Sequence, residues 1–264
     1  MSLQFAFDAS NHDRILEEYR DQGYIVLKNV FDAQEITNIQ HAWEEIYAER
    51  SKSSNNPNTP LLMAHHHYPA VARIVRHSLL IECVEFFLGE RIELIQSQLM
   101  FGMPGTQGFT PHQDNFYNRA NPSDGIIAAW IAVNPADESN GGVAVFPGSH
   151  KHGLVKARRN WLYLLSRSPD VFKSLVKQFI PSIRRQPNDF CVTERFVSAL
   201  LPEGQAFTPS LEAGSVLFMH GDLIHFSSPN LTKDRTRFSL LTNYVKEGTT
   251  YSSGRLTRRT SFMN

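Results

Sequence analysis

The feature that most constrains the fold lies beyond residue 90. Five short apolar runs follow one another: "RIELIQSQLMFGM" from Arg91, "GIIAAWIAVN" from Gly125, "GGVAVFPGS" from Gly141, "GSVLFMH" from Gly214 and "RFSLLTNYV" from Arg237. They are rich in β-branched and aromatic residues and are split by Gly, Pro, Asn and Asp, the pattern of strands joined by turns. The reading is mainly β with flanking helices, an antiparallel core at about residues 91–250. A chain of 264 residues is long for an average domain but suits one large β barrel or sandwich. Its 41% hydrophobic content is enough for a packed core.

Before residue 90 the pattern is helical, and residues 1–90 read as a helical layer. "NHDRILEEYRDQG" is an amphipathic helix ended by Gly23, with "YIVLKNV" as a strand behind it. Asp32, with Glu35 three residues on, forms a capping box ahead of a longer helix. "YPAVARIVRHSLLIECVEFFLG" reads as one or two helices ending at Gly89. A charged helical segment and mixed loop, at about residues 160–213, interrupt the strands as a lid-like insertion. No linker is visible, so residues 1–264 read as a single domain.

Composition excludes several functions. Lys plus Arg and Asp plus Glu both number 26, so there is no basic footprint for nucleic acid. The basic run at the end, "SSGRLTRRTSFMN", reads as a solvated tail. Cys83 and Cys191 form neither a disulfide framework nor a thiolate metal motif. The N-terminal residues do not read as a secretory leader, and no run of the ~20 apolar residues that span a bilayer occurs in the sequence. A soluble cytoplasmic protein is expected, monomer or homodimer, acting on a small molecule.

"TPHQDNFYNRANPSDG" carries the chemistry. Residues i and i+2 of a strand share a face, so His112 and Asp114 would stand side by side as imidazole and carboxylate. A second histidine would complete the two-histidine, one-carboxylate set of non-haem Fe(II) oxygenases. "LEAGSVLFMHGDLIHFSSPN" offers His220 and His225, and spacing favours His225 only modestly.

With "HQD", "NGGVAVFPGSHKHG" and "AGSVLFMHGDLIHFSSPNLTKDRTRFSL" in this order, the chain resembles the phytanoyl-CoA dioxygenase family. The resemblance runs from "DQGYIVLKNVF" to "LLTNYV". It implies a double-stranded β-helix, a cupin-like jelly roll, with Fe(II), 2-oxoglutarate as co-substrate and O2. It implies His112, Asp114 and His225 as the iron ligands and His220 as a non-ligating histidine. It assigns the far carboxylate of 2-oxoglutarate to a distal arginine. The usual interval falls on Thr236, and matching "DRTRFSL" selects Arg237 over Arg235, which reads as a turn residue paired with Asp234. Ser227, Ser239 and the glutamines Gln96 and Gln98 are expected around the same co-substrate. The carboxylate at Asp114 argues against halogenation and for hydroxylation, or for a related oxidation such as desaturation.

For the substrate, Asn115, Tyr117 and Arg119 follow Asp114 directly, and Trp130 lies on a central strand. Arg119, with Arg184 and Arg185 of the insertion, points to a small anionic metabolite or natural-product intermediate. His150 and His152 read as parts of a turn, and His65 to His67 as surface polarity. The alternatives are a catalytically inactive jelly-roll binding protein and a cupin-type metal-dependent hydrolase or isomerase.

Overall fold

The computed structural model describes residues 4–156, 158–159, 190–192, 205–254 and 257–262. Most of the insertion expected at 160–213, with Arg184 and Arg185, lies outside the described residues.

The helices form where the sequence signals them. α1 (His12–Gln22) buries Ile15 and Tyr19, one turn apart, and ends at Gly23, whose φ of 77° lets its N–H reach the Tyr19 carbonyl. α2 (Ala33–Ser53) starts with both halves of the capping box: Glu35 N donates to Asp32 Oδ1 and Asp32 N to Glu35 Oε2, each at 2.8 Å. It buries Ile36, Ile39, Trp43 and Ile46 along one face. α3 (Pro69–Ile74) opens with a proline, and α4 (Ser78–Leu88) closes at the left-handed Gly89.

The strands are β1 (Gln4–Ala6), β2 (Tyr24–Lys28), β3 (Leu61–Leu62), β4 (Ile92–Gly102), β5 (Ile126–Ala132), β6 (Val143–Val145), β7 (Arg158–Arg159), β8 (Phe190–Cys191), β9 (Val216–His220), β10 (His225–Ser227) and β11 (Arg237–Lys246). Seven of them form one sheet in the order β1-β2-β9-β5-β11-β4-β3. Its pairings are antiparallel except β1 with β2. The N-terminal region is therefore not a purely helical layer: it supplies three strands of the main sheet. A run as short as Leu61–Leu62 carries no periodicity for sequence reasoning to find.

The second layer is smaller. β10 pairs with β6, and single bridges extend the row, so that His112, His225, Val145 and Phe207 lie side by side across it. β7 pairs separately with β8. This is the jelly roll: a large sheet facing a small one.

Alternation along each strand sorts side chains into two cores. Leu240 and Tyr244 of β11, Leu99 and Phe101 of β4, and Ile127 and Ile131 of β5 pack outward under the helices, with Ile15, Trp43 and Val84. Leu241, Met100, Trp130, Leu217 and Met219 point inward, against Val143 and Val145 of β6. Arg237, Ser239 and Asn243 share the inward row of β11 with Leu241, opposite Gly102, Met100, Gln98 and Gln96 of β4. Among the described residues, no helix is long and apolar enough to cross a membrane.

Candidate metal centre

His112 and His225 are direct cross-strand partners. His112 N donates to the His225 carbonyl at 2.9 Å and His225 N returns the bond at 3.0 Å. Directly opposed residues project to one side of a sheet, and the two rings lie with centroids 4.4 Å apart.

Asp114 joins them differently from the expected strand alternation. Only His112 and Gln113 are extended; Asp114 is the first residue of the short helix α5 (Asp114–Asn118). The turn from strand into helix brings the carboxylate beside the imidazole. Gln113, between them, pins that junction. It donates to the Gly153 carbonyl at 2.8 Å and the Asp222 carbonyl at 2.6 Å, and accepts from Val155 N at 2.8 Å.

Hydrogen bonds fix which ring nitrogens are available. His112 Nδ1 lies 2.7 Å from the Thr110 carbonyl, and His225 Nδ1 lies 3.0 Å from the Leu223 carbonyl. A carbonyl only accepts, so each ring carries its proton on Nδ1 and keeps the Nε2 lone pair. Those Nε2 atoms stand 3.8 and 3.7 Å from the same oxygen, Asp114 Oδ1. Donors at ~2.1 Å from one ion can be up to roughly 4.2 Å apart, so each nitrogen spans a metal with Oδ1. The ligand atoms of all three residues lie within 4.8 Å of one another. Burial and the neighbouring His225 hold the His112 imidazole down to about 4, against a smaller upward pull from Asp114, so the neutral, ligating form prevails. The donor set therefore fits Fe(II).

The other histidines stand apart from this cluster. His220 Nδ1 accepts from Asp222 N at 3.1 Å, and its ring packs 5.1 Å from that of His150. His150 Nε2 meets the Arg20 carbonyl at 3.0 Å, and His152 is exposed. His66 and His67 are exposed as expected, but His65 is buried. Its Nδ1 lies 2.7 Å from Ser97 Oγ, an anchor that a run of three histidines does not reveal.

Arg237 and Arg235 have opposite surroundings. Arg237 is 4% exposed on the inward face; Nη1 donates to Ser239 Oγ at 3.3 Å and Nε is buried without a partner. Its guanidinium lies 5.8 Å from the Trp130 ring, and among the described residues no carboxylate pairs with it. Arg235 is at the surface, bound to Asp137 at 2.7 Å rather than to the expected Asp234. Gly102 leaves the room Arg237 needs: a Cβ there would lie 2.6 Å from the Arg237 carbonyl and 2.9 Å from its Nε. Ser227 is buried beyond His225, and its Oγ accepts from Phe109 N at 3.0 Å. The glutamines diverge. Gln96 is buried and accepts from Arg259 Nε at 2.7 Å, whereas Gln98 is half-buried opposite Leu241.

The proposed substrate residues also separate. Asn115 is buried and holds the loop, donating to Asp222 Oδ1 at 2.9 Å and accepting from Ala120 N at 2.7 Å. Tyr117 is half-buried with its ring 6.3 Å from that of His112. Arg119 is exposed, 4.7 Å over the Phe116 ring, beside a hollow also lined by Leu154, Val155 and Lys156. Trp130 is 2% exposed, inside the inner core beneath Arg237.

Two residues escaped sequence reasoning. Asn243 Nδ2 donates to Asp114 Oδ2 at 3.1 Å; its place on the same strand face as Arg237 was the available signal. Arg259 is 6% exposed and not solvated, although it belongs to the basic run read as a tail.

Known proteins agree with this picture. Residues 19–239 match the family described as phytanoyl-CoA dioxygenase (PhyH). A "probable alpha-ketoglutarate-dependent hypophosphite dioxygenase" of Stutzerimonas stutzeri is 29% identical over 241 residues, 85% of this chain and 75% of that protein. The ectoine dioxygenase of Sphingopyxis alaskensis is 23% identical over 85% of this chain and 73% of its own. Among solved structures, the epimerase SnoN in complex with Fe3+, alpha-ketoglutarate and nogalamycin RO superposes with a TM-score of 0.69 at 17% identity, over 92% of this chain and 87% of that one. EctD from S. alaskensis with 2-oxoglutarate and 5-hydroxyectoine gives 0.64 at 18% identity, over 88% and 75%. With the family match spanning most of the chain, and with the jelly roll and its His–Asp–His cluster in place, the chain belongs to the phytanoyl-CoA dioxygenase family and is an Fe(II)- and 2-oxoglutarate-dependent dioxygenase.

Proposed function

We propose that this dioxygenase hydroxylates an unactivated C–H bond of a small anionic metabolite, with succinate and CO2 as co-products. The observation that carries the reading is a convergence. His112 Nε2, His225 Nε2 and Asp114 Oδ1 gather at one point, while the buried Arg237 keeps a guanidinium without a carboxylate partner on the same inner surface.

In this reading His112, Asp114 and His225 hold Fe(II). When bound, iron and 2-oxoglutarate activate O2 and couple decarboxylation of the co-substrate to oxidation of the substrate. The chain's own residues bind and orient. Arg237 offers a planar fork for the far carboxylate of 2-oxoglutarate. Ser239 steadies that fork through Nη1, and Trp130 walls it from beneath. Ser227 lies two residues beyond His225, positioned to share the same carboxylate. The apolar inner core keeps water from the reacting centre. Tyr117, over His112, is the substrate contact next to the metal ligands. The relative named for hypophosphite, a small oxyanion, supports an anionic substrate.

The test is an anaerobic titration of the Fe(II)-loaded protein with 2-oxoglutarate, followed by the visible charge-transfer band of the chelate. The band should saturate at one equivalent, and admission of O2 should release succinate. Bound iron without a band would overturn the reading.

A further inference from the structure

Arg259 lies in the stretch that follows β11, twenty residues beyond the end of the family match at 239. Its described residues return to β4 and to the short helix after Asp114 as a strap. Phe262 anchors its far end, with its N–H on the Leu94 carbonyl at 3.1 Å and its ring 4.0 Å from the Arg76 guanidinium. Arg259 itself turns inward and is 6% exposed. Its Nε donates to Gln96 Oε1 at 2.7 Å, and its Nη1 donates to the Tyr117 carbonyl at 3.3 Å and the Ser252 carbonyl at 3.2 Å.

Every one of these acceptors is neutral. A buried arginine is ordinarily paired with a carboxylate, because an uncompensated charge away from water is costly. Among the described residues none pairs with Arg259, and its Nη2 has no acceptor. The one carboxylate that acts on it is Asp114, too far for an ion pair and already held by Asn243. Burial, as the larger influence, presses the guanidinium below its usual range.

Position gives that charge a direction. Gln96 is the cross-strand partner of Asn243, whose amide holds Asp114. Tyr117, the other acceptor, lies on the short helix that Asp114 begins. Arg259 is thus bracketed by two residues that adjoin the metal cluster. Arg237 sits six residues from Asn243 along the same inward row of β11, roughly 20 Å away along the strand. Among the described residues, the inner surface therefore carries a buried arginine without a carboxylate partner toward each end, with one carboxylate, Asp114, between them. In the dioxygenase reading Arg237 receives 2-oxoglutarate, which leaves one cation without an anion.

We infer that Arg259 is the residue that binds the anionic group of the primary substrate, a carboxylate, phosphonate or phosphinate, with Gln96 holding the guanidinium in place. Arg119, which the loop sequence suggested for this task, faces solvent over Phe116. The inference rests on the dioxygenase reading and sharpens its substrate class. Substrate anion and co-substrate are then held from opposite ends, and the strap fixes which substrate carbon approaches the metal.

The experiment uses the full chain, loaded with Fe(II) and 2-oxoglutarate under anaerobic conditions. Propionate and methylphosphonate are titrated in, with propionamide as the neutral control, and binding is read by calorimetry and by the shift of the chelate band. At least one anion should bind the wild-type protein and shift the band, and propionamide should not. R259Q should weaken that anion tenfold or more while still forming the chelate band, and R119Q should change it less than twofold. R259K keeps the charge but loses the fork, and should weaken binding threefold or more. It serves as the test should R259Q fail to fold. Unchanged anion binding in the folded variants, tighter binding of propionamide, or no anion binding to a wild-type protein that forms the band would overturn the inference alone. A wild-type protein that binds iron and forms no band would overturn the dioxygenase reading itself.

Discussion

Asn243 Nδ2 donates to Asp114 Oδ2 at 3.1 Å, and the remaining oxygen, Oδ1, is the one that faces both histidines. The amide thereby decides which carboxylate oxygen is offered to a metal. Removing a group that orients a ligand typically costs 10–100-fold in metal affinity. Asn243→Leu is expected to weaken Fe(II) or Co(II) binding by about that factor, measured against a competing chelator. Unchanged affinity in a protein of unchanged melting temperature would reduce Asn243 to a packing role.

His220 and His225, which flank the β9–β10 turn, should behave oppositely, one as a ligand and the other as a bystander. His225→Ala, like His112→Ala and Asp114→Ala, is expected to abolish tight metal binding and substrate-coupled succinate release. His220→Ala leaves the cluster intact and should retain both, as should His150→Ala, since these rings pack on one another outside it. A folded His220→Ala protein that no longer binds metal would redirect the assignment.

Arg237→Ala should weaken 2-oxoglutarate binding by about 2–5 kcal/mol, roughly thirty-fold or more, because a buried carboxylate would lose its partner. Arg235→Ala removes only a half-exposed ion pair with Asp137 and should cost under about 1 kcal/mol. Chelate-band titrations of the two variants give the comparison directly. A larger effect at Arg235 would place the co-substrate outside the inner row.

His65 gives the fold a pH dependence. Burial, then the neighbouring His66, Arg76 and His67, lower it from an ordinary 6.5 to about 4. The unfolded chain binds the proton more readily than the folded one. Stability from this group is therefore complete above pH 6.5 and is lost as pH falls toward 4, by about 3 kcal/mol at most. Urea unfolding across that window should show a shallower loss in His65→Asn than in wild type. Parallel curves would remove His65 from the account.

The sequence exposed those parts that rest on local chemistry. The glycine caps at Gly23 and Gly89, the Asp32–Glu35 box and the strands β4, β5, β6, β9 and β11 follow from residue type and spacing. His112, Asp114 and His225 were legible from spacing and resemblance together. The turn that joins the first two was not, because HxD reads alike on a strand and at a strand-to-helix junction. Asn243 and Arg259 became visible only with tertiary contacts. The first depends on which residue lies across the barrel, and the second on a strap whose composition resembles that of any solvated tail. His65 was missed for the same reason, since its burial comes from Ser97 on a distant strand.

The alternation along β11 has a consequence for how such a protein can change. Leu240 packs under the helices and Leu241, its neighbour, packs into the inner core between the two sheets. Adjacent codons thus answer to different selection: one to the persistence of the folded chain, the next to the shape and charge of what enters it. A lineage can retailor the inward set for a new metabolite while the outward set stays fixed, so substrate range can diversify with little loss of foldability.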